Sequence, residues 1–161
     1  MAKESDLENL KKDYLVVQKK YNLPSFENLN EDFQIEKIAE VETDILIREV
    51  RKFIADKFSN YLRFVETILN PANAPMFVFS IIKSIGVEEK KKLVEIYKEL
   101  TKTEIRLIEL DTDFFEEKEA EFIKESYEIW QKIKKDVLEV VEVIKKNLDN
   151  KFEVNGKSYF G

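Results

Sequence analysis

The chain has 161 residues, 43% apolar and 37% charged, which is long enough for one hydrophobic core and well above the roughly one-quarter charged share of ordinary globular proteins. It contains no histidine and no cysteine, which excludes disulfides, thiolate nucleophiles, imidazole acid–base chemistry, zinc fingers and histidine-bearing di-iron bundle sites. Its 27 basic and 33 acidic residues leave a net charge of −6, so no nucleic-acid footprint is expected; the run Lys90-Lys91-Lys92 is itself flanked by Glu88, Glu89 and Glu95.

The start, Met1-Ala2-Lys3-Glu4-Ser5-Asp6, is charged with no apolar run behind it, so neither a signal nor a transit peptide is read there and a cytoplasmic location is expected. A first helix is expected from Lys3 to Tyr21, with Leu7, Leu10, Tyr14, Val17 and Tyr21 on one stripe and Pro24 stopping it. Asn28 or Asn30 would cap a second helix, the Asn28–Glu31 spacing fitting a capping box. No glycine or proline occurs from Glu31 to Asn70, so this helix is read as unbroken, about 58 Å at 1.5 Å per residue. Ile47, Val50, Ile54, Phe58, Tyr61, Val65 and Ile68 form a near-heptad seam, preceded by Ile38, Val41 and Ile45.

Pro75 and Gly86 bracket a short third helix, apolar nearly all round and carrying Lys83 as its single charge. It is too short to cross a bilayer, which takes about 20 residues, so no transmembrane segment is expected. Either it fills the core between the long helices, or it exposes Phe77, Phe79 and Ile81 as an interface. A fourth helix follows from Val87 to Leu110, with Leu93, Tyr97, Leu100, Leu107 and Ile108 inward. Asp113, spaced from Glu116 as in a capping box, opens a fifth that carries Ile123, Trp130, Ile133, Val137, Val140 or Val141, Ile144 and Leu148 to Asn150. Beyond it, Asn155-Gly156 is a hairpin signal that would set Phe152 across from Tyr159, as a strand-adding contact or else a flexible tail.

The fold class expected is therefore all-α: an elongated antiparallel bundle of four long helices plus one short apolar helix over residues 1–150, with a hairpin or tail over 151–161. A compact chain of this length has a radius of gyration of about 15 Å, which cannot enclose unbroken helices of over about 50 Å. The second and fifth helices must be interrupted, or the bundle is elongated and pairs with another chain.

The run Tyr21-Asn22-Leu23-Pro24-Ser25-Phe26-Glu27, with Phe33-Gln34-Ile35-Glu36-Lys37-Ile38, Asn70-Pro71 and Glu117-Lys118-Glu119-Ala120-Glu121-Phe122-Ile123-Lys124, resembles short all-helical archaeal proteins that carry no assigned function. The resemblance spans roughly residues 15–140 and implies no catalytic or binding residues.

Four of the 27 basic residues are arginines: Arg48, Arg51, Arg63 and Arg106. Where lysine is the default surface cation, arginine marks places that need a planar, bidentate donor. Arg48 lies one step beyond Val41 and Ile45, and Glu104 lies between Leu100 and Ile108, so an Arg–Glu contact inside the bundle is expected if these helices are neighbours. It would be a register-fixing ion pair or part of a pocket for a carboxylate or phosphate. Glu-x-x-Glu pairs at Glu116/Glu119, Glu125/Glu128 and Glu139/Glu142 could hold Mg²⁺, but the Glu-x-x-Asp that completes the all-α pyrophosphohydrolase pattern is absent.

Three glycines leave no phosphate-cradling loop, and no catalytic residue or resident cofactor or metal is assigned. The leading functional reading is a non-enzymatic interaction or scaffold module whose partner is a second copy or another protein. The alternative is a small-anion or nucleotide binder, or a Mg²⁺-dependent phosphohydrolase, using Arg48, Arg51 and Arg106 with carboxylates such as Glu104 and Glu119, Arg63 being a further candidate ligand residue.

Overall fold

In the computed structural model, backbone is described for residues 3–160 and side chains for residues 3–150. The described residues form α1 (Glu4–Tyr21), α2 (Phe26–Phe33), a 3₁₀ helix η1 (Ile35–Glu40), α3 (Leu46–Leu69), α4 (Met76–Ser84), α5 (Val87–Thr112) and α6 (Glu116–Phe160), with no strand among them. The all-helical class follows from the sequence periodicity, and no described helix is long and apolar enough to cross a membrane.

The helix read from Glu31 to Asn70 is interrupted. Ser25, rather than Asn28 or Asn30, is its first cap: the Ser25 hydroxyl accepts the Asn28 N–H at 3.1 Å and starts α2 five residues early. Gln34 then takes a left-handed conformation at φ 54° and closes α2, so a non-glycine residue ends the helix where the sequence has no glycine. Burial of Ile35 and Ile38 in η1, on either side of exposed Glu36 and Lys37, offsets the cost of that turn. Val41 and Ile45 are exposed rather than inward, and the Thr43 hydroxyl accepts the Ile45 N–H at 3.2 Å before α3 starts.

Two compact units divide the chain, and the division crosses α3, α5 and α6 instead of falling in a linker. The first contains the chain up to Asn60 with Lys102–Trp130. In it α1 packs on α2 and η1, and Tyr14 buries its ring edge-on to Phe26 while its hydroxyl donates to the Pro24 carbonyl at 2.6 Å. Phe33, Phe58 and Trp130 form a triangle of tilted rings 6.1–6.3 Å apart. The Lys57 ammonium lies 4.2 Å from the Trp130 centroid and donates to the Asp32 carbonyl.

The second unit contains Tyr61–Thr101 and the chain from Gln131 onward. Its core takes Val65, Ile68, Val78, Ile85, Leu93, Ile96, Leu100, Ile133, Val140 and Ile144. Gly86 does not adopt a positive φ; it opens α5, its N–H donating to the Glu89 carboxylate at 2.9 Å. The Ser84 carbonyl, at the end of α4, accepts from the Asn147 side-chain amide of α6.

Three further readings are corrected. Ile108 is exposed, because the α5 seam runs Leu93, Ile96, Leu100, Thr103, Leu107, Leu110, with a polar residue holding one place. Asp113 makes no capping bond; the Phe115 carbonyl accepts the Glu119 N–H at 3.0 Å as α6 begins. Backbone 151–160 continues α6 in place of the hairpin, since adding a residue to an existing helix needs no new nucleus whereas two isolated strands are marginal. The Phe152 and Tyr159 side chains lie outside the described residues.

Candidate functional site

The most concentrated polar arrangement is in the first unit, where α3, α5 and α6 contribute Arg51, Asp111 and Glu119. Arg51 is 4% exposed and Glu119 wholly buried. The guanidinium donates through Nε to Glu119 Oε2 at 2.7 Å and through Nη2 to Glu119 Oε1 at 3.4 Å, a bidentate geometry. Nη2 also donates to Asp111 Oδ1 at 2.9 Å, and that carboxylate remains 63% exposed. Burial alone would pull the guanidinium value down, but the Glu119 and Asp111 bonds outweigh it and raise it, so the guanidinium stays charged.

Both partners are buried because both occupy seam positions. Stepping back by sevens from Val65 and Phe58 reaches Arg51, and from Val140, Ile133 and Ser126 reaches Glu119. Ser126 is itself buried with no hydrogen-bond partner for its hydroxyl, the expected cost of a polar residue at a core position.

The expected Arg48–Glu104 contact does not form. Arg48 stacks 5.7 Å over the Phe114 ring, and Glu104 accepts from the Ser59 hydroxyl at 2.9 Å. The reason is register: Arg48 was placed by continuing the helix through Val41 and Ile45, which belong to the interruption. Arg106 pairs with Glu121 at 3.3 Å and with Glu125, while Arg63 is exposed in the second unit.

Nor do the Glu-x-x-Glu pairs assemble a cation site. Glu116, Glu119, Glu125, Glu139 and Glu142 each carry an ion pair, to Lys20, Arg51, Arg106, Lys92 and Lys145 in turn. Among the described residues no three carboxylates converge on a point a metal could occupy. What the arrangement can do chemically is fix register: guanidinium and carboxylates neutralise one another.

Glu116 is half-buried, and the Tyr21 hydroxyl at 2.7 Å and Lys20 at 3.0 Å hold its carboxyl below the usual range, while Tyr21 and Glu116 together raise Lys20. A folded value below the unfolded one means this contribution is complete above about pH 4.3, the ordinary glutamate value, and is lost as pH falls through the folded value. The raised Lys20 adds a contribution that is present below the ordinary lysine value of about 10.4 and lost above it. The thermal-midpoint difference between wild type and Glu116→Gln should therefore be constant from about pH 5.5 to 9 and vanish in acid. A difference that does not shrink as the solution is acidified would refute the assignment.

The third-helix residues are placed unequally. Phe77 and Phe79 are exposed, Ile81 is half-buried, and only Val78 and Ser84 of α4 are buried. No family model, curated protein or solved structure matches the chain.

Sequence reasoning missed Met76, the most exposed apolar side chain described at 84%, because a residue at a helix start has no periodic partner to reveal its direction. It also missed an open groove of about 450 Å³ in the first unit, walled by Val16 and Val17 of α1, Ile45 and Ile47 around the start of α3, and Phe114. The available signal was that Leu15 and Val16 are apolar but lie off the α1 stripe.

Proposed function

We propose that this chain is a non-enzymatic interaction module of the cytoplasm that self-associates through the free face of α4. The observation that carries it is Met76 and Phe77, 84% and 65% exposed, with Phe79 beside them on a helix whose only charge is Lys83. Contiguous exposed aromatic and thioether side chains are the usual mark of a surface that meets another protein. A second copy fits: a two-fold axis sets the same face against itself, and a patch with almost no charge is little opposed by the net −6 of each chain.

The long seams do not supply the self-associating face; α4 does. Ile47, Val50, Ile54, Phe58, Val65 and Ile68 are buried within the chain itself, so those positions need no second chain. The anion-binding or phosphohydrolase alternative is disfavoured because Arg51 and Arg106 are engaged by carboxylates and Arg48 by an aromatic ring.

Sedimentation velocity over a dilution series should show a reversible dimer. Met76→Glu with Phe77→Glu should raise its dissociation constant at least about tenfold, or 1.4 kcal/mol, with the helical circular dichroism unchanged because both side chains already face water. A wild-type monomer at every concentration would overturn the reading.

A further inference from the structure

The groove of the first unit combines apolar walls with ionisable lining residues of one sign. Its ionisable lining residues are Asp13, Asp44 and Glu116, all carboxylates, set around Val16, Ile45 and Phe114. Glu116 is engaged by Lys20 and Tyr21, but the exposed Asp13 and Asp44 carboxylates have neither an ion pair nor a hydrogen bond. A larger open groove of about 660 Å³ in the second unit offers the contrast, since Lys92, Lys134 and Lys135 there face Glu89, Glu139 and Glu142 and the charges balance.

The structure points to the first-unit groove as a docking site for a cationic amphipathic helical segment of another protein. An apolar floor with unpaired carboxylates at its edge complements a helix whose apolar side chains repeat every three or four residues beside lysines or arginines. Arg48 stacks over Phe114 and Lys20 pairs with Glu116, so the carboxylates left to meet a partner's cations are those of Asp13 and Asp44. A second copy of the chain is a poorer occupant, because its excess of carboxylates would meet carboxylates. The inference stands apart from α4 self-association, since it uses different residues in the other unit.

The probe is a fluorescein-labelled peptide of roughly 18 residues, five helical turns, with one leucine face and one lysine face; a leucine/glutamate peptide of the same pattern is the comparison. Fluorescence anisotropy is read with the full chain carrying Phe77→Glu, so that self-association does not enter. The lysine peptide should bind, with a dissociation constant that rises with salt. That constant should increase at least tenfold for Asp13→Asn with Asp44→Asn, and severalfold for Val16→Ser, which leaves charge unchanged. Neutralising two exposed carboxylates outside the groove, Glu142→Gln with Asp149→Asn, should leave it within twofold.

Equal weakening by the two neutralised pairs would mean the peptide responds only to net charge, and would overturn the site. Absence of binding, or equal binding of the glutamate peptide, would overturn it too. So would a sedimentation experiment in which Asp13→Asn with Asp44→Asn alters self-association of the chain.

Discussion

Glu119→Ala should destabilise the protein by about 3–5 kcal/mol, because it leaves the Arg51 guanidinium, 4% exposed, without its bidentate partner. Asp111 keeps one bond to Nη2 and is open to water, which places the expectation toward the lower end of that range. For a chain of this length the loss corresponds to a fall in thermal midpoint of about 10 °C. The double variant Arg51→Leu with Glu119→Leu should recover most of it, since replacing both buried charges by apolar groups removes their desolvation cost along with their attraction. Urea denaturation of wild type, single and double variants checks this. A single variant within about 1 kcal/mol of wild type would show that water already solvates the pair.

Phe58→Ala should cost about 3–5 kcal/mol by a different route. Phe58 is 1% exposed and stands between Phe33 and Trp130, with ring centroids 6.1 and 6.2 Å away, so truncation opens a cavity at the centre of the first unit's core. Trp130 is the sole tryptophan, and its emission reports this environment directly. The equilibrium measurement should therefore be accompanied by a spectral change in the folded state. Measured at a dilution where the chain is monomeric, Met76→Ala removes a side chain of comparable bulk from a position 84% exposed, and should stay within about 0.5 kcal/mol. Comparable losses for the two would contradict the burial pattern.

The Glu119 and Phe58 expectations rest on one pattern, and it was largely legible in the sequence. Period-3.6 stripes assigned α1, α3, α5 and α6, and proline positions assigned the ends of α1 and α3. The same seven-residue step, carried through polar letters, reaches Arg51, Thr103, Glu119 and Ser126, all buried. Glu119 is legible in the sequence as a carboxylate touching an apolar seam; which arginine it meets is not.

The sequence by itself determined that this chain is helical, without imidazole or thiol chemistry, and where most of its core letters lie, because periodicity and composition are local properties of the chain. Only the tertiary structure decided the break at Gln34, since the gain from burying Ile35 and Ile38 exceeds the left-handed cost only once a core receives them. It also decided which carboxylate meets which arginine: Arg51 and Glu119 are 68 residues apart, and their contact depends on relative helix register. The same reason separates the exposed face of α4 from its buried one, and brings Asp13, Asp44 and Phe114 to one groove. Local pattern gives a helix its faces, but which face meets water is set by the neighbours it packs against.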